Sequence, residues 1–112
     1  MKKLILLCVL VPFIQGRCFL SAQRIAAGWD HSLGDCASNT EWSWGRNELR
    51  QLGDNTGTTR PTPVQVWTGS SPCPTYLCDI TAVAAGQKHS LFLKSDLTVW
   101  ACGWNGVYGK LG

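Results

Sequence analysis

His31 stands beside Ser32, with Asp30 and Asp35 close in the chain. That grouping contains the residue types of a hydrolytic triad: a hydroxyl nucleophile, an imidazole base and a carboxylate to orient it. The same pair recurs as His89-Ser90, this time with no carboxylate next to it. A catalytic group is needed once, whereas a structural hydrogen bond repeats with the fold. The recurrence therefore favours a structural role, and a hydrolase using His31 and Ser32 is the distant alternative. Neither a Gly-x-Ser-x-Gly elbow nor a phosphate-binding loop is present. Of the cysteines, Cys73 and Cys78 have four residues between them but no second close pair, a poor pattern for zinc. A disulfide across the Cys73–Cys78 loop suits an exported chain better. Cys36 and Cys102 fall in expected strands and read as buried thiols. No cofactor or metal site is implied, and no enzyme is expected.

The elements that carry these residues are themselves repeated. Ala26-Ala27-Gly28-Trp29-Asp30-His31-Ser32-Leu33 returns 58 positions on as Ala84-Ala85-Gly86-Gln87-Lys88-His89-Ser90-Leu91. At the same offset Thr40 matches Thr98, Trp42 matches Trp100, Gly45 matches Gly103 and Asn47 matches Asn105. Each copy closes on Leu-Gly, at Leu52-Gly53 and Leu111-Gly112. Repetition at this period marks a propeller, solenoid or array, and argues for a binding scaffold before any chemistry.

Between the repeated phrases the chain reads as short strands and turns. Ile25 to Ala27 is a brief apolar run stopped by Gly28, and His31 opens a second strand. Ser38-Asn39 has hairpin-turn chemistry, and Glu41-Trp42-Ser43-Trp44 alternates with the period of a strand that buries one face. Asp54 to Pro63 reads as a polar loop, Val64 to Trp67 as an edge strand behind two prolines, and Thr68 to Asp79 as a second loop. Ile80 to Ala85 restarts the cycle. Strand signals about every ten residues, with no helical period, make the chain all-β.

Residues 1–22 read as a signal peptide. Met1-Lys2-Lys3 is followed by an apolar run from Leu4 to Val11, with small residues offering cleavage after Ala22 or after Gly16. The run is too short to span a bilayer as a helix. Secretion, to the periplasm or outside, is therefore expected. The 112-residue chain has a formal charge of +3, but three of its ten Lys and Arg residues lie in that leader. The remainder is near neutral and leaves no basic stripe for nucleic acid.

The pattern Ala-Gly-x-x-His-Ser-Leu, then Thr-x-Trp, then Gly-x-Asn, then Leu-Gly, resembles the regulator of chromosome condensation repeat. Asp54-Asn55 with Pro61 to Val66 is similar to the strand that joins one such repeat to the next. The resemblance covers essentially everything after the leader and points to a secreted, bacterial-type member. It implies antiparallel β-propeller blades, here about one and a half repeats of an incomplete propeller: a partial repeat over 23–53 and a second over 54–112. Further repeats or copies would be needed to close the ring. The structural motif would comprise Gly28, His31, Ser32, Trp42, Gly45, Asn47 and Gly53, and then Gly86, His89, Ser90, Trp100, Gly103, Asn105 and Gly112. Trp42 and Trp100 would hold matching buried positions, with Leu33, Leu52, Leu91 and Leu111 in the core and paired alanines lining a channel. Arg50 and Leu97 depart from the family by occupying positions usually held by Gly, and the second copy has one extra residue before Leu111.

Members of this family include a secreted inhibitor of β-lactamases and an exchange factor for a small GTPase, both of which present loops from one propeller face to a protein. The resemblance thus implies a non-catalytic protein-binding module whose partner meets the loops of one face. Guanine-nucleotide exchange is the alternative, and the leader speaks against it.

Overall fold

The computed structural model describes residues 24–35, 40–68 and 76–112. The expected leader, the Ser38-Asn39 turn, Cys36 and Cys73 lie outside them.

Among the described residues seven strands form two antiparallel sheets: β1 (Ile25–Ala27), β2 (His31–Asp35), β3 (Glu41–Gly45) and β4 (Arg60–Gln65) in order in the first, and β5 (Ile80–Ala85), β6 (His89–Lys94) and β7 (Val99–Gly103) in the second. Each strand pairs with its sequence neighbour, the meander expected when short β-prone runs are joined by tight turns. Among the described residues there is no helix long and apolar enough to cross a membrane.

The repeat predicts that Val64 begins a strand after a loop that reaches Pro63. Instead the strand starts at Arg60 and contains both Pro61 and Pro63. It can do so because β4 is an edge strand, where a proline's missing N–H need not face a ladder partner. This strand completes the first sheet. The sheets therefore divide between Gln65 and Ile80, whereas the sequence repeat divides at Gly53 and Asp54. Beyond β4 the chain stays tied to the first sheet: Val66 N–H donates to the Glu41 carbonyl at 3.0 Å and Leu77 N–H to the Val66 carbonyl at 2.8 Å.

The sheets pack face to face on Leu33, Val66, Leu77, Ile80 and Phe92, with Ala26, Val83, Ala85, Trp100 and Cys102 against this cluster. The alanine-rich strands β1 and β5 lie side by side, and Ala26 and Ala85 are half-buried while Ala27 and Ala84 are exposed.

Three expectations about burial need correction. The β3 alternation has the predicted period but the opposite phase: Glu41 and Ser43 are fully buried, while Trp42 and Trp44 are half-buried on the outward face. Trp42 and Trp100 hold matching register positions, opposite Gly34 and Phe92, and both are half-buried, but only Trp100 packs against the inter-sheet cluster. Leu33 and Leu52 are fully buried, but Leu91 and Leu111 are only half-buried. One cause accounts for the β-strand differences. A sheet in a stack offers opposite faces to its two neighbours, so the first sheet buries the face bearing His31 and Leu33, and the second buries the face bearing Ser90 and Phe92.

Arg50 and Leu97 adopt φ values of 62° and 68°. Both departures from glycine therefore fall where the backbone is left-handed and a side chain costs roughly 1–2 kcal/mol.

Candidate functional site

Neighbouring residues on a strand point to opposite faces, so His31 and Ser32 cannot meet. His31 is buried between the sheets and Ser32 is half-buried on the far side. The partner of His31 is the serine of the other repeat: Nε2 lies 2.9 Å from Ser90 Oγ. Ser90 Oγ in turn donates to the Gln51 carbonyl at 2.7 Å. A hydroxyl has one proton, so its oxygen must accept from His31, which fixes the neutral Nε2–H tautomer. Burial, first among the causes, holds the His31 pKa below its ordinary value. Ser90 is fully buried and its proton is already committed, so this pair is a joint between sheets. Asp30 is turned to Arg46 and completes no triad. The hydrolytic grouping of His31 with Ser32 is not assembled.

The Gly-x-x-His spacing has a direct steric reason. A Cβ on Gly28 would run into the His31 ring, and one on Gly86 would run into the His89 ring. Each imidazole occupies the space beside its glycine that a side chain would need. Gly45 and Gly103 share φ 107°, and each leaves no room for a Cβ against the backbone of Asp30-His31 or Lys88-His89.

Two buried polar groups lie deeper in the first sheet. Asp35 accepts from Arg24 three times: from the main-chain N–H at 2.7 Å, Nε at 2.9 Å and Nη2 at 2.6 Å. Its cross-strand neighbour Glu41 is left with neither oxygen hydrogen-bonded. Burial, and then the Asp35 charge, push Glu41 up to about 8. Sequence reasoning missed this residue, although its shared phase with Ser43 on β3 was the available signal.

The antiparallel meander brings loops 28–30, 46–59, 86–88 and 104–112 to one end of both sheets. Arg46 N–H bonds to the Asp30 carbonyl at 2.7 Å and Trp104 N–H to the Lys88 carbonyl at 2.8 Å. The Gly-x-Asn motif closes the two long loops. Asn47 Oδ1 accepts from Leu52 N–H at 3.0 Å, and Asn105 Oδ1 accepts from Leu111 N–H at 2.7 Å. In the second loop, whose Asn-to-Leu span is one position longer, Gly106 and Gly109 take left-handed conformations between those clamp points. Asn47 Nδ2 also donates to Asp54, which binds Thr56 and Arg60 as well. Burial would raise the Asp54 pKa, but these donors outweigh it and the net displacement is downward.

This end carries exposed aromatic and basic groups. Trp29 is 73% and Tyr108 91% exposed. Trp104 lies under two ammonium groups, Lys110 Nζ at 4.7 Å and Lys88 Nζ at 5.5 Å from its ring centre. A groove of about 300 Å³ runs beside it, lined by residues including Leu49, Arg50, Trp67 and Gly103. Gly53 and Cys102 meet at its floor. Burial pushes the Cys102 thiol up to about 12, and it is free. Cys78 is disulfide-bonded, and its partner lies outside the described residues. Among the described residues no cluster of His, Cys, Asp and Glu could hold a metal ion.

Comparison with known proteins agrees with this geometry. The family model of the regulator of chromosome condensation (RCC1) repeat matches residues 41–93, and a second RCC1 repeat model matches 80–109. The chain is 33% identical over 89 residues to the ultraviolet-B receptor UVR8 of Arabidopsis thaliana, covering 79% of this chain and 19% of the receptor. It is 30% identical over 94 residues to the X-linked retinitis pigmentosa GTPase regulator homolog of Caenorhabditis elegans, covering 80% of this chain and 6% of that protein. Prp20p from Saccharomyces cerevisiae superposes with a TM-score of 0.57 at 28% identity, over 79% of this chain and 19% of Prp20p. Human WBSCR16 superposes at 0.56 and 27%, over 80% and 22%. The chain therefore spans about a fifth or less of these relatives. The two sheets are adjacent antiparallel propeller blades, and the chain belongs to the regulator of chromosome condensation (RCC1) repeat family.

Proposed function

We propose that this chain is a non-catalytic protein-binding module, exported from the cytoplasm, that captures its partner on the loop end of its blades. The observation that carries this reading is that the loop end exposes Trp29, Trp104 and Tyr108, with Lys88 and Lys110 over the Trp104 ring and Arg50 in the groove of the same end. Exposed aromatic rings supply contact area at low entropic cost, and aromatic and arginine side chains dominate binding energy at protein interfaces. The surrounding cations suit an acidic partner surface. Prp20p is described by its binding to Gsp1p and to histones, which are proteins, and this supports a protein as the ligand class.

Photo-crosslinking from the loop end in the producing cell's surroundings tests the reading. The wild-type chain should crosslink a protein that the combined Trp29→Ala, Trp104→Ala and Tyr108→Ala variant loses while keeping its melting temperature. An unchanged crosslinking pattern refutes the site. N-terminal sequencing of the mature protein tests export: a new terminus near Gln23 supports it, and an intact Met1 on cytosolic protein opposes it. The likeness to the X-linked retinitis pigmentosa GTPase regulator homolog also favours, as a second reading, regulation of a small GTPase. Release of a fluorescent guanine nucleotide from such a GTPase, accelerated by this chain, would select it.

A further inference from the structure

Arg50 occupies a backbone position that its counterpart in the second repeat gives to glycine. Arg50 precedes Gln51-Leu52-Gly53, and Gly109 precedes Lys110-Leu111-Gly112. Both are left-handed, at φ 62° and 59°. Glycine enters that conformation freely, whereas a side chain makes it strained. The turn itself does not need the strain, since the second repeat makes it with glycine. A strained residue held where an unstrained one serves points to a use for its side chain.

That side chain is an unanswered cation. Among the described residues every other arginine has a carboxylate: Arg24 has Asp35, Arg46 has Asp30 and Glu48, and Arg60 has Asp54. Arg50 is exposed and has none among them, although Glu48 is close in the chain. It lines the groove of about 300 Å³ instead. The first blade contributes Leu49, Arg50, Asn55 and Trp67 to this groove, and the second contributes Cys102 and Gly103. Both walls therefore lie within this chain, at a blade junction that is already formed.

The lining is held in place by the main chain. Arg50 N–H donates to the Asn47 carbonyl and Trp67 N–H to the Gly53 carbonyl, each at 2.8 Å. Leu49 N–H donates to Gln51 Oε1 at 3.0 Å. A Cβ on Gly53 would come within 3.0 Å of Cys102 Sγ and Val66 Cγ1, so the floor is closed by glycine. No anion in the floor competes for Arg50: burial keeps the Cys102 thiol protonated, and Asp54 is taken by Arg60. The walls are apolar where Trp67 and Leu49 are exposed. Asn55 adds an exposed amide that makes no hydrogen bond among the described residues.

We propose that this groove takes an acidic side chain of a partner protein together with the apolar residue beside it, the carboxylate on Arg50 and Asn55 and the apolar group against Trp67 and Leu49. A guanidinium fork matches a carboxylate with two parallel hydrogen bonds. The volume lies at the small end for a ligand site, which suits two adjacent side chains and not a folded element. The inference rests on the reading that the ligand is a protein and names the chemistry that protein presents. It makes no use of Trp29, Trp104 or Tyr108.

The test is a nitrogen-15 NMR titration of the full 112-residue chain with the capped dipeptide acetyl-Glu-Phe-amide. Acetyl-Gln-Phe-amide and acetyl-Glu-Gly-amide are the controls. Saturable shifts are expected at the Trp67 indole N–H and at the Gly53 and Gly103 amides, with each control weaker by about tenfold or more. Arg50→Gly should weaken binding of the Glu-Phe probe by a similar factor while raising the melting temperature. Arg50→Gln keeps a side chain on the strained backbone but removes the charge, so it should weaken binding as much and leave the melting temperature unchanged. A residue kept for the fold alone would instead lower the melting temperature when replaced by glycine. Shifts absent from the groove, equal binding of the Gln-Phe control, or an Arg50→Gly variant that keeps its affinity or melts earlier would each overturn the proposal. The combined Trp29→Ala, Trp104→Ala and Tyr108→Ala variant should bind the probe as wild type does. Loss of the probe there would move its site to the exposed aromatic rings and overturn the groove, whereas unchanged crosslinking with probe binding intact would overturn the aromatic site alone.

Discussion

Replacing Glu41 by Gln should stabilise the protein at neutral and alkaline pH and leave it unchanged in acid. Both carboxylate oxygens of Glu41 are buried and neither is hydrogen-bonded, while Arg24 turns its Nε and Nη2 to Asp35. In the folded chain the group titrates at about 8, against 4.5 for the free side chain. The folded state therefore holds a proton that the unfolded chain gives up through the interval between those values. Where the folded state binds more protons, stability falls as pH rises. The contribution of Glu41 is fully present below 4.5 and is lost progressively up to about 8. At 1.36 kcal/mol per pH unit the loss reaches about 3 kcal/mol at pH 7 and about 5 kcal/mol by pH 9. Glutamine has the shape and polarity of the protonated acid but no proton to lose. Urea unfolding of both proteins at matched concentration between pH 4 and 9 should give curves that coincide in acid and diverge by these amounts. His31 works in the opposite sense. Its pKa is lowered, so its contribution is present above its unfolded value and is lost as pH falls, but it is common to both proteins and cancels in the difference. A gap between the two proteins that does not vary with pH would refute the reasoning, and would mean that Glu41 finds a partner or water in the folded state.

Ser90→Ala should cost about 1–3 kcal/mol, because it strands the His31 Nε2–H in a buried joint and leaves the Gln51 carbonyl only the weak Cys102 thiol donor; chemical denaturation measures this, and a loss under a few tenths of that range would contradict the hydrogen-bond assignment. In dilute protein, Trp100→Ala should cost about 3 kcal/mol and Trp42→Ala under about 1 kcal/mol, the first ring lying against the core and the second on an outward face; equal losses would restore the symmetric arrangement that the sequence repeat suggests. Leu97→Gly should raise stability by a net of about 0.5–1 kcal/mol, the relief of a left-handed side chain exceeding the extra entropy of glycine in the unfolded chain, and a lower melting temperature would show that the exposed leucine has a role in the turn.

The strands and their meander order were legible because the repeated phrase and the Gly, Pro and Asn punctuation specify short paired segments. Period was legible, but phase was not. Glu41-Trp42-Ser43-Trp44 announces alternation, yet which half faces inward depends on which neighbouring sheet covers that strand. The same blindness hid the partner of His31: the adjacent Ser32 is the visible candidate, while the true partner is 59 residues away in the other copy. Pro61 and Pro63 looked like the end of a loop because only an edge strand tolerates them, and edge status is a property of the assembled sheet. Arg50 and Leu97 could be singled out as departures from a glycine pattern, but their backbone angles could not be read from residue type.

The asparagine clamps separate two design tasks that most loops mix. Asn47 and Asn105 tie the loop base to the start of the return path, one spanning five positions and the other six, with the added residue taken up between the tie points. Apart from the residue just before the leucine, which in the first loop is the buried Gln51 whose carbonyl anchors Ser90, the stretch between the tie points can lengthen or change composition without passing strain into the strands. A blade of this kind behaves as a socket with an interchangeable insert. New contact surfaces could be grafted there, one blade at a time, while the His31–Ser90 joint keeps the two blades in register.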